Sequence, residues 1–169
     1  MSEAPETGIT IPKVSQVGFV VENLEDGVER FQNLFGVTPW TEYRLEPPEL
    51  TDTTYRGESV EFGFRAALAY AGDTNLELVE PTRGPNIYED HLEARGEGLH
   101  HLKTSFATET ATYEALRRFE QAGVDVIQSG SYKGSEFWYL DTAELCCGLV
   151  FETSIRRNYD EREPANVYR

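Results

Sequence analysis

Gln16, Glu77, His101 and Glu152 are the residues of this 169-residue chain whose types and spacing could do chemistry together. One imidazole, two carboxylates and one amide oxygen suit a borderline-to-hard divalent ion, Zn, Ni, Co, Mn or Mg, without choosing among them. Their registration joins them. Val14-Ser15-Gln16-Val17-Gly18-Phe19 lays onto Leu99-His100-His101-Leu102-Lys103-Thr104, and Leu76-Glu77-Leu78 onto Phe151-Glu152-Thr153. Residue 101 stands 85 after residue 16, and residue 152 stands 75 after residue 77. Each of the four falls on the less apolar face of its run: Gln16 with Gly18, Glu77 with Asn75, His101 with Lys103 and Ser105, Glu152 with Gly148 and Ser154. Converging in one sheet, they would otherwise be buried polar atoms lacking partners, a penalty of roughly several kcal/mol that a cation removes. With four protein ligands an octahedral ion keeps two positions open, which points to catalysis rather than structure.

Taken singly, each residue has an ordinary reading. A lone glutamine in a strand is a hydrogen-bonding core or surface residue, and isolated glutamates face solvent. Strict alternation sends His100 to the face opposite His101, so loss of His100 is expected to cost packing and leave metal binding intact. Lys103 stands two residues beyond His101 on the same side, about 7 Å along the strand, near enough to act on a bound substrate. Its ordinary reading is a stem that carries the ammonium out to water.

Two copies of one unit are expected to position these residues. Val14 to Val21 alternates as a half-buried strand, and a helix follows with Asn23 as N-cap, Val28, Phe31 and Leu34 as its stripe and Gly36 as its stop. Leu99 to Phe106 repeats the strand; Thr108 or Thr110 caps a second helix that Gly123 ends. Further strand-like runs lie at Ser59 to Tyr70, Thr74 to Glu80, Val124 to Gln128, Glu136 to Leu140 and Cys147 to Thr153, while Pro47 and Pro48 obscure Thr38 to Thr54. The ten-residue difference between copies is assigned to loops. The expected fold class is α+β, two tandem βαβββ modules forming a curved mixed sheet with a metal-binding cleft. The modules run over 13–80 and 98–154, with a flexible acidic segment at 1–12, a linker at 81–97 bearing a short helix that starts near Pro85, and a tail at 155–169.

Thirty acidic against fifteen basic residues give a formal charge of −15, which repels phosphate backbones and anionic membranes and so excludes nucleic acid and membrane surfaces as partners. No run approaches the ~20 apolar residues of a membrane span, and the acidic start lacks the basic-then-apolar pattern of a secretory signal, so a cytoplasmic location is expected. Cys146 and Cys147, adjacent in sequence, suit neither a disulfide framework nor a zinc cage and are expected to be small apolar fillers. Of the aromatic residues Trp40, Tyr43, Phe62, Phe64, Tyr70, Tyr132 and Trp138, two or three are expected to line a substrate pocket.

The stretch Leu76-Glu77-Leu78-Val79-Glu80-Pro81 and, after a short helix, Arg95-Gly96-Glu97-Gly98-Leu99-His100-His101-Leu102 resembles methylmalonyl-CoA epimerases of the vicinal oxygen chelate, or glyoxalase/bleomycin resistance/dioxygenase, superfamily. With Val17-Gly18-Phe19-Val20-Val21 and Gly148-Leu149-Val150-Phe151-Glu152 the resemblance spans about Val14 to Thr153. It implies one divalent metal ion per active site, held by Gln16, Glu77, His101 and Glu152, and a homodimer. It also implies proton transfer at a carbon beside a chelated carbonyl, with Glu152, then Glu77, as base; Lys103, by its place beside His101, is expected to be a further catalytic group. Three positions depart from the epimerase pattern: Gln16 replaces a histidine and is similar instead to one form of lactoylglutathione lyase, Lys103 replaces a small residue, and the strand around Arg65 and Ala66 offers no second base nearer than Glu61. The expected partner is a small carbonyl substrate, an acyl-CoA or a thiol conjugate. Epimerisation leads, a glyoxalase I type isomerisation is the alternative, and a metal-free ligand-binding or antibiotic-sequestering protein is the alternative from another class. An iron-dependent dioxygenase, which wants two histidines and one carboxylate, ranks third.

Overall fold

The computed structural model describes residues 5–157 and 162–169, so the segments expected to be a flexible N-terminus and a tail fall partly outside the described residues, at 1–4 and 158–161. The first alternating run becomes β1 (Gln16–Val20), with Gln16, Gly18 and Val20 buried on one side. Helix α1 (Leu24–Phe35) begins where Asn23 accepts a hydrogen bond from the Asp26 N–H and ends at Gly36, whose φ of 66° suits a residue without a Cβ. Its stripe, Leu24 and Val28 with Phe31 beside them, packs on Trp40, Ala67, Ala69 and Leu78 across the convex side of the sheet.

The segment that prolines obscured holds two strands, β2 (Trp40–Leu45) and β3 (Leu50–Tyr55), followed by β4 (Glu58–Ser59), β5 (Gly63–Ala71) and β6 (Thr74–Arg83). Asn86, just past Pro85, caps α2 (Ile87–Arg95) by accepting from Tyr88 and Glu89. Then come β7 (Gly98–Thr104), α3 (Glu109–Gln121) capped by Thr108, β8 (Val126–Tyr132), β9 (Ser135–Leu140), β10 (Val150–Ile155) and β11 (Asn166–Tyr168).

All these strands join one mixed sheet in the order β11-β2-β5-β6-β1-β7-β10-β9-β8-β3-β4. Its centre is two copies of one pattern, β2-β5-β6-β1 and β7-β10-β9-β8, in which the first strand runs parallel to the last: β1 with β6, β7 with β10. Antiparallel pairing of β1 with β7 joins the copies. The sheet curls into a half-barrel, and the concave side gathers Val20, Phe64, Val79, Phe137, Tyr139 and Val150 from both copies with Tyr88 of α2.

Three expectations change. The extra ten residues of the first copy are not loop: β3 and β4 span 50–59 as a hairpin, which pairs β3 with β8 of the other copy. The C-terminal segment adds β11 antiparallel to β2 at the far edge, where the Tyr168 hydroxyl donates to Glu42 Oε2 at 2.6 Å. Cys146 and Cys147 are exposed in the turn between β9 and β10, so they are not core fillers. The strand expected to run from Cys147 starts at Val150, because Cys147 and Gly148 both take positive φ, which extended pairing does not accommodate.

Candidate metal centre

Four adjacent strands at the middle of the sheet, β6, β1, β7 and β10, bring Glu77, Gln16, His101 and Glu152 to the same concave side. One ligand atom each from Glu77, His101 and Glu152 lies within 4.8 Å of the others. His101 Nε2 stands 3.0 Å from Glu77 Oε2 and 3.4 Å from Glu152 Oε2. His101 and Glu152 are 0% and 3% exposed by side chain, so two carboxylates face one imidazole almost without water. Gln16 lines the same cup, buried. Its orientation follows from its neighbour: Asn75 Nδ2 donates to the Ala69 carbonyl, so Asn75 Oδ1 accepts from Gln16 Nε2 at 2.6 Å, and the amide oxygen of Gln16 is left over. Gln16 Oε1 and Glu152 Oε2 are buried with no hydrogen bond among the described residues.

Gly18 admits the imidazole. A Cβ there would lie 1.9 Å from His101 Cε1 and 2.1 Å from Nε2, so the ring lies directly over the bare backbone of β1. Lys103 does not reach for water: its side chain is 10% exposed and Nζ pairs with Glu152 Oε1 at 2.8 Å. Burial opposes charge on Glu77, but the contact with His101 and the charges of Lys103 and Arg156 outweigh it and hold the carboxyl below its ordinary range. Burial, reinforced by Glu77 and Glu152, pushes the Tyr139 hydroxyl well up, and Tyr88, hydrogen-bonded to it at 2.8 Å, likewise; both stay neutral.

His100 is not where alternation puts it. Between Gly18 and Phe19 of β1 the register with β7 slips, Gly18 facing His101 and Phe19 facing Leu99, so His100 is the extra residue of a bulge. Its ring turns inward among Tyr88, His91 and Tyr139, and its Nδ1 lies 3.0 Å from His101 Nδ1. Burial, then the neighbouring His101 and His91, keeps it well below the ordinary histidine range, hence neutral. Glu61 is exposed, paired with Arg83 at 3.0 Å, and does not line the cup.

The cup above the cluster encloses about 620 Å³, part of it open solvent. Of the seven aromatic candidates, Tyr43, Phe64 and Tyr132 line it; Trp40 and Phe62 are core, while Tyr70 and Trp138 stand outside it. Composition and alternation miss Tyr139, Arg156 and Arg162, which also line it. Arg162 lies 5.2 Å from the centre of the Tyr132 ring, carried there by the segment that leads into β11.

A family profile described as the glyoxalase/bleomycin resistance protein/dioxygenase superfamily matches residues 15–140. The chain belongs to this superfamily. No curated protein matches it in sequence. Among solved structures it is similar to a hypothetical protein, BH1468, from Bacillus halodurans C-125, at TM-score 0.59 and 17% identity over 86% of this chain and 95% of that one. It is also similar to Streptomyces coelicolor methylmalonyl-CoA epimerase in complex with 2-nitronate-propionyl-CoA, at 0.57 and 23% over 86% and 94%. A third neighbour is methylmalonyl-CoA epimerase from Mycobacterium tuberculosis, at 0.58 and 16% over 90% and 93%. At these identities the likeness establishes the fold.

The donor set fits a divalent ion. Two carboxylates and one imidazole offer ligand atoms within 4.8 Å of one another, Gln16 adds an amide oxygen from the wall of the same cup, and two of the four residues carry a buried oxygen with no hydrogen bond among the described residues, a combination that dry burial alone would penalise.

Proposed function

We propose that this superfamily member is a divalent-metal-dependent enzyme that moves a proton at a carbon beside a carbonyl, with an acyl-CoA thioester as substrate and epimerisation as outcome. The observation that carries the reading is the cluster of Glu77, His101 and Glu152 at the floor of an open cup, with Gln16 Oε1 and Glu152 Oε2 lacking hydrogen bonds among the described residues. A divalent ion held by Gln16, Glu77, His101 and Glu152 would supply a Lewis acid that makes a carbonyl a better electron sink.

The chain's own groups divide the rest. Glu77, with 12% of its side chain exposed to the cup, takes the α proton, and Glu152 passes a proton from the Lys103 ammonium, 2.8 Å from its Oε1, to the other side of the carbon; exchange with water then restores Glu77 and Lys103. The Lys103 ammonium sits where negative charge develops on the substrate oxygen. The Tyr139 hydroxyl, which already accepts from Tyr88, has its own proton left to donate into the cup. Phe64, Ala66 and Leu68 keep water from the carbanion, and Arg156 with Arg162 suits an anionic substituent. The likeness to epimerases solved with acyl-CoA ligands supports the choice of thioester.

A second reading returns the proton to the neighbouring carbon, as in lactoylglutathione lyases, and is favoured by the glutamine at position 16. Against a metal-free binding protein stand the two buried oxygens, beside the imidazole and the second carboxylate, which a cation would satisfy.

Elemental analysis and solvent deuterium incorporation test the reading together. The purified protein should carry one divalent ion per chain, and His101→Ala and Glu152→Gln should each lose it. Deuterium should enter the α carbon of an acyl-CoA in a panel that also contains hemithioacetals, and Glu77→Gln should stop it. Incorporation only with hemithioacetals selects the second reading; a metal-free protein inactive on both overturns the first.

A further inference from the structure

We infer that His100 is a positioning residue: it takes the ring proton of His101 in a hydrogen bond and so presets the His101 Nε2 lone pair toward the cation. This rests on the metal-site reading above and goes beyond it, since alternation assigns His100 no part in the site.

Donors and acceptors must balance along a short relay. The two rings meet through their Nδ1 atoms at 3.0 Å, and one of those atoms must donate to the other. His101 Nε2 is the nitrogen that faces Glu77 and Glu152, so a cation held there takes its lone pair and the single proton of that ring sits on Nδ1. His101 Nδ1 is then the donor, and His100 must meet it with a bare Nδ1 and its own proton on Nε2. A ligand histidine commonly has such a partner on its far nitrogen; here a β-bulge delivers it from the adjacent residue.

The other neutral ligand is set by the same device. The Ala69 carbonyl fixes Asn75, and Asn75 fixes Gln16 so that its oxygen faces the cup. In each copy of the repeat a buried polar neighbour, Asn75 or His100, turns a ligand lone pair toward the cup.

Zn²⁺ titration calorimetry of the purified chain, with two variants, decides the matter. His100→Phe keeps a flat ring and removes the acceptor, and should weaken Zn²⁺ binding by about 10- to 100-fold. His100→Asn places an oxygen near the Nδ1 position and should restore binding to within a few-fold of wild type. Wild-type affinity in His100→Phe, or equal loss in both variants with native circular dichroism, overturns the proposal. The chain has three histidines, so long-range ¹⁵N spectra of the Zn²⁺-loaded wild type read the tautomers even if a variant fails to fold. His100 should carry its proton on Nε2 and His101 on Nδ1; a proton on His100 Nδ1 refutes the relay. Wild-type protein that takes up no Zn²⁺ sinks the metal reading and this inference with it, whereas tight wild-type binding unchanged by His100→Phe sinks the inference alone.

Discussion

Adding one carbon at Gly18 tests the whole centre. In Gly18→Ala the new Cβ would stand 1.9 Å from His101 Cε1, 2.1 Å from Nε2 and 2.5 Å from Nδ1. Ordinary carbon contacts fall at about 3.5–4.0 Å, so the ring or β1 must give way by roughly 1.5 Å. The imidazole has little freedom to do so: His100 stands 3.0 Å away on one side, Glu77 3.0 Å away on the other, and the ring is fully buried. Replacing a strand glycine gains about 0.5–1 kcal/mol in backbone entropy, while overpacking a tight core costs about 1–3 kcal/mol. The overlap is deep and the neighbours are held, which puts the second number at its upper end and leaves a net loss of about 2–2.5 kcal/mol, or a fall in Tm of about 4–10 °C.

The effect on the metal site should be larger than the effect on the fold. Productive constellations tolerate displacements of about 0.5 Å, a third of what this substitution demands. Zn²⁺ affinity should therefore fall by about 100-fold or more while circular dichroism stays native. Calorimetric titration of both proteins, with thermal melts on the same samples, measures the two effects side by side. Wild-type affinity in Gly18→Ala would refute the placement of the His101 ring over β1, and with it the geometry of the centre.

Lys103→Met keeps the stem and removes the charge from a buried Glu152, so turnover should drop by at least about tenfold; wild-type turnover and metal affinity would make Lys103 structural. Burial raises the cost of charge on Glu42, yet hydrogen bonds from Arg65 and Tyr168 outweigh it and hold its carboxyl below the ordinary range. Its contribution is thus present above the unfolded value and lost as pH falls through the lower folded one, so acid unfolding of Tyr168→Phe should begin at higher pH than in wild type. Tyr168 itself is pushed up to about 12, mainly by burial and then by Glu42, so its contribution is full below pH ~10 and fades as pH rises through about 12. Chemical unfolding at stepped pH follows both limbs. Leu34 and Phe35, 73% and 69% exposed at the end of α1, supply an apolar surface for a homodimer, and light scattering should report twice the monomer mass at micromolar concentration; a monomer there contradicts it.

What the sequence made legible is what periodicity carries. Asn23 and Gly36 bound α1, and matched runs around residues 16 and 101 place two equivalent strands side by side, because cap chemistry and alternation are local. The same alternation puts Gln16, Glu77, His101 and Glu152 on one side of four neighbouring strands. The strands hidden in 38–54 were not legible, since β3 is held by pairing with β8, about eighty residues away, and such a partner leaves no mark on its own run. Arg162 was invisible for a related reason: the docking of β11 on β2, a tertiary event, carries it to the cup.

The failure at His100 has a different cause. Alternation assumes one residue faces one residue, and the slip opposite Gly18 and Phe19 breaks that assumption at the strand where the cluster sits. Gly18 is on the page in the sequence, but its meaning depends on what lies across from it: a glycine in a strand reads as a weak point until a ring is found over it. The two observations are one arrangement. The missing side chain of β1 gives the His101 ring its place, and the extra residue of β7 gives that ring its hydrogen-bond partner, so the point where the regular ladder fails is the point where the fold holds a ligand nitrogen steady.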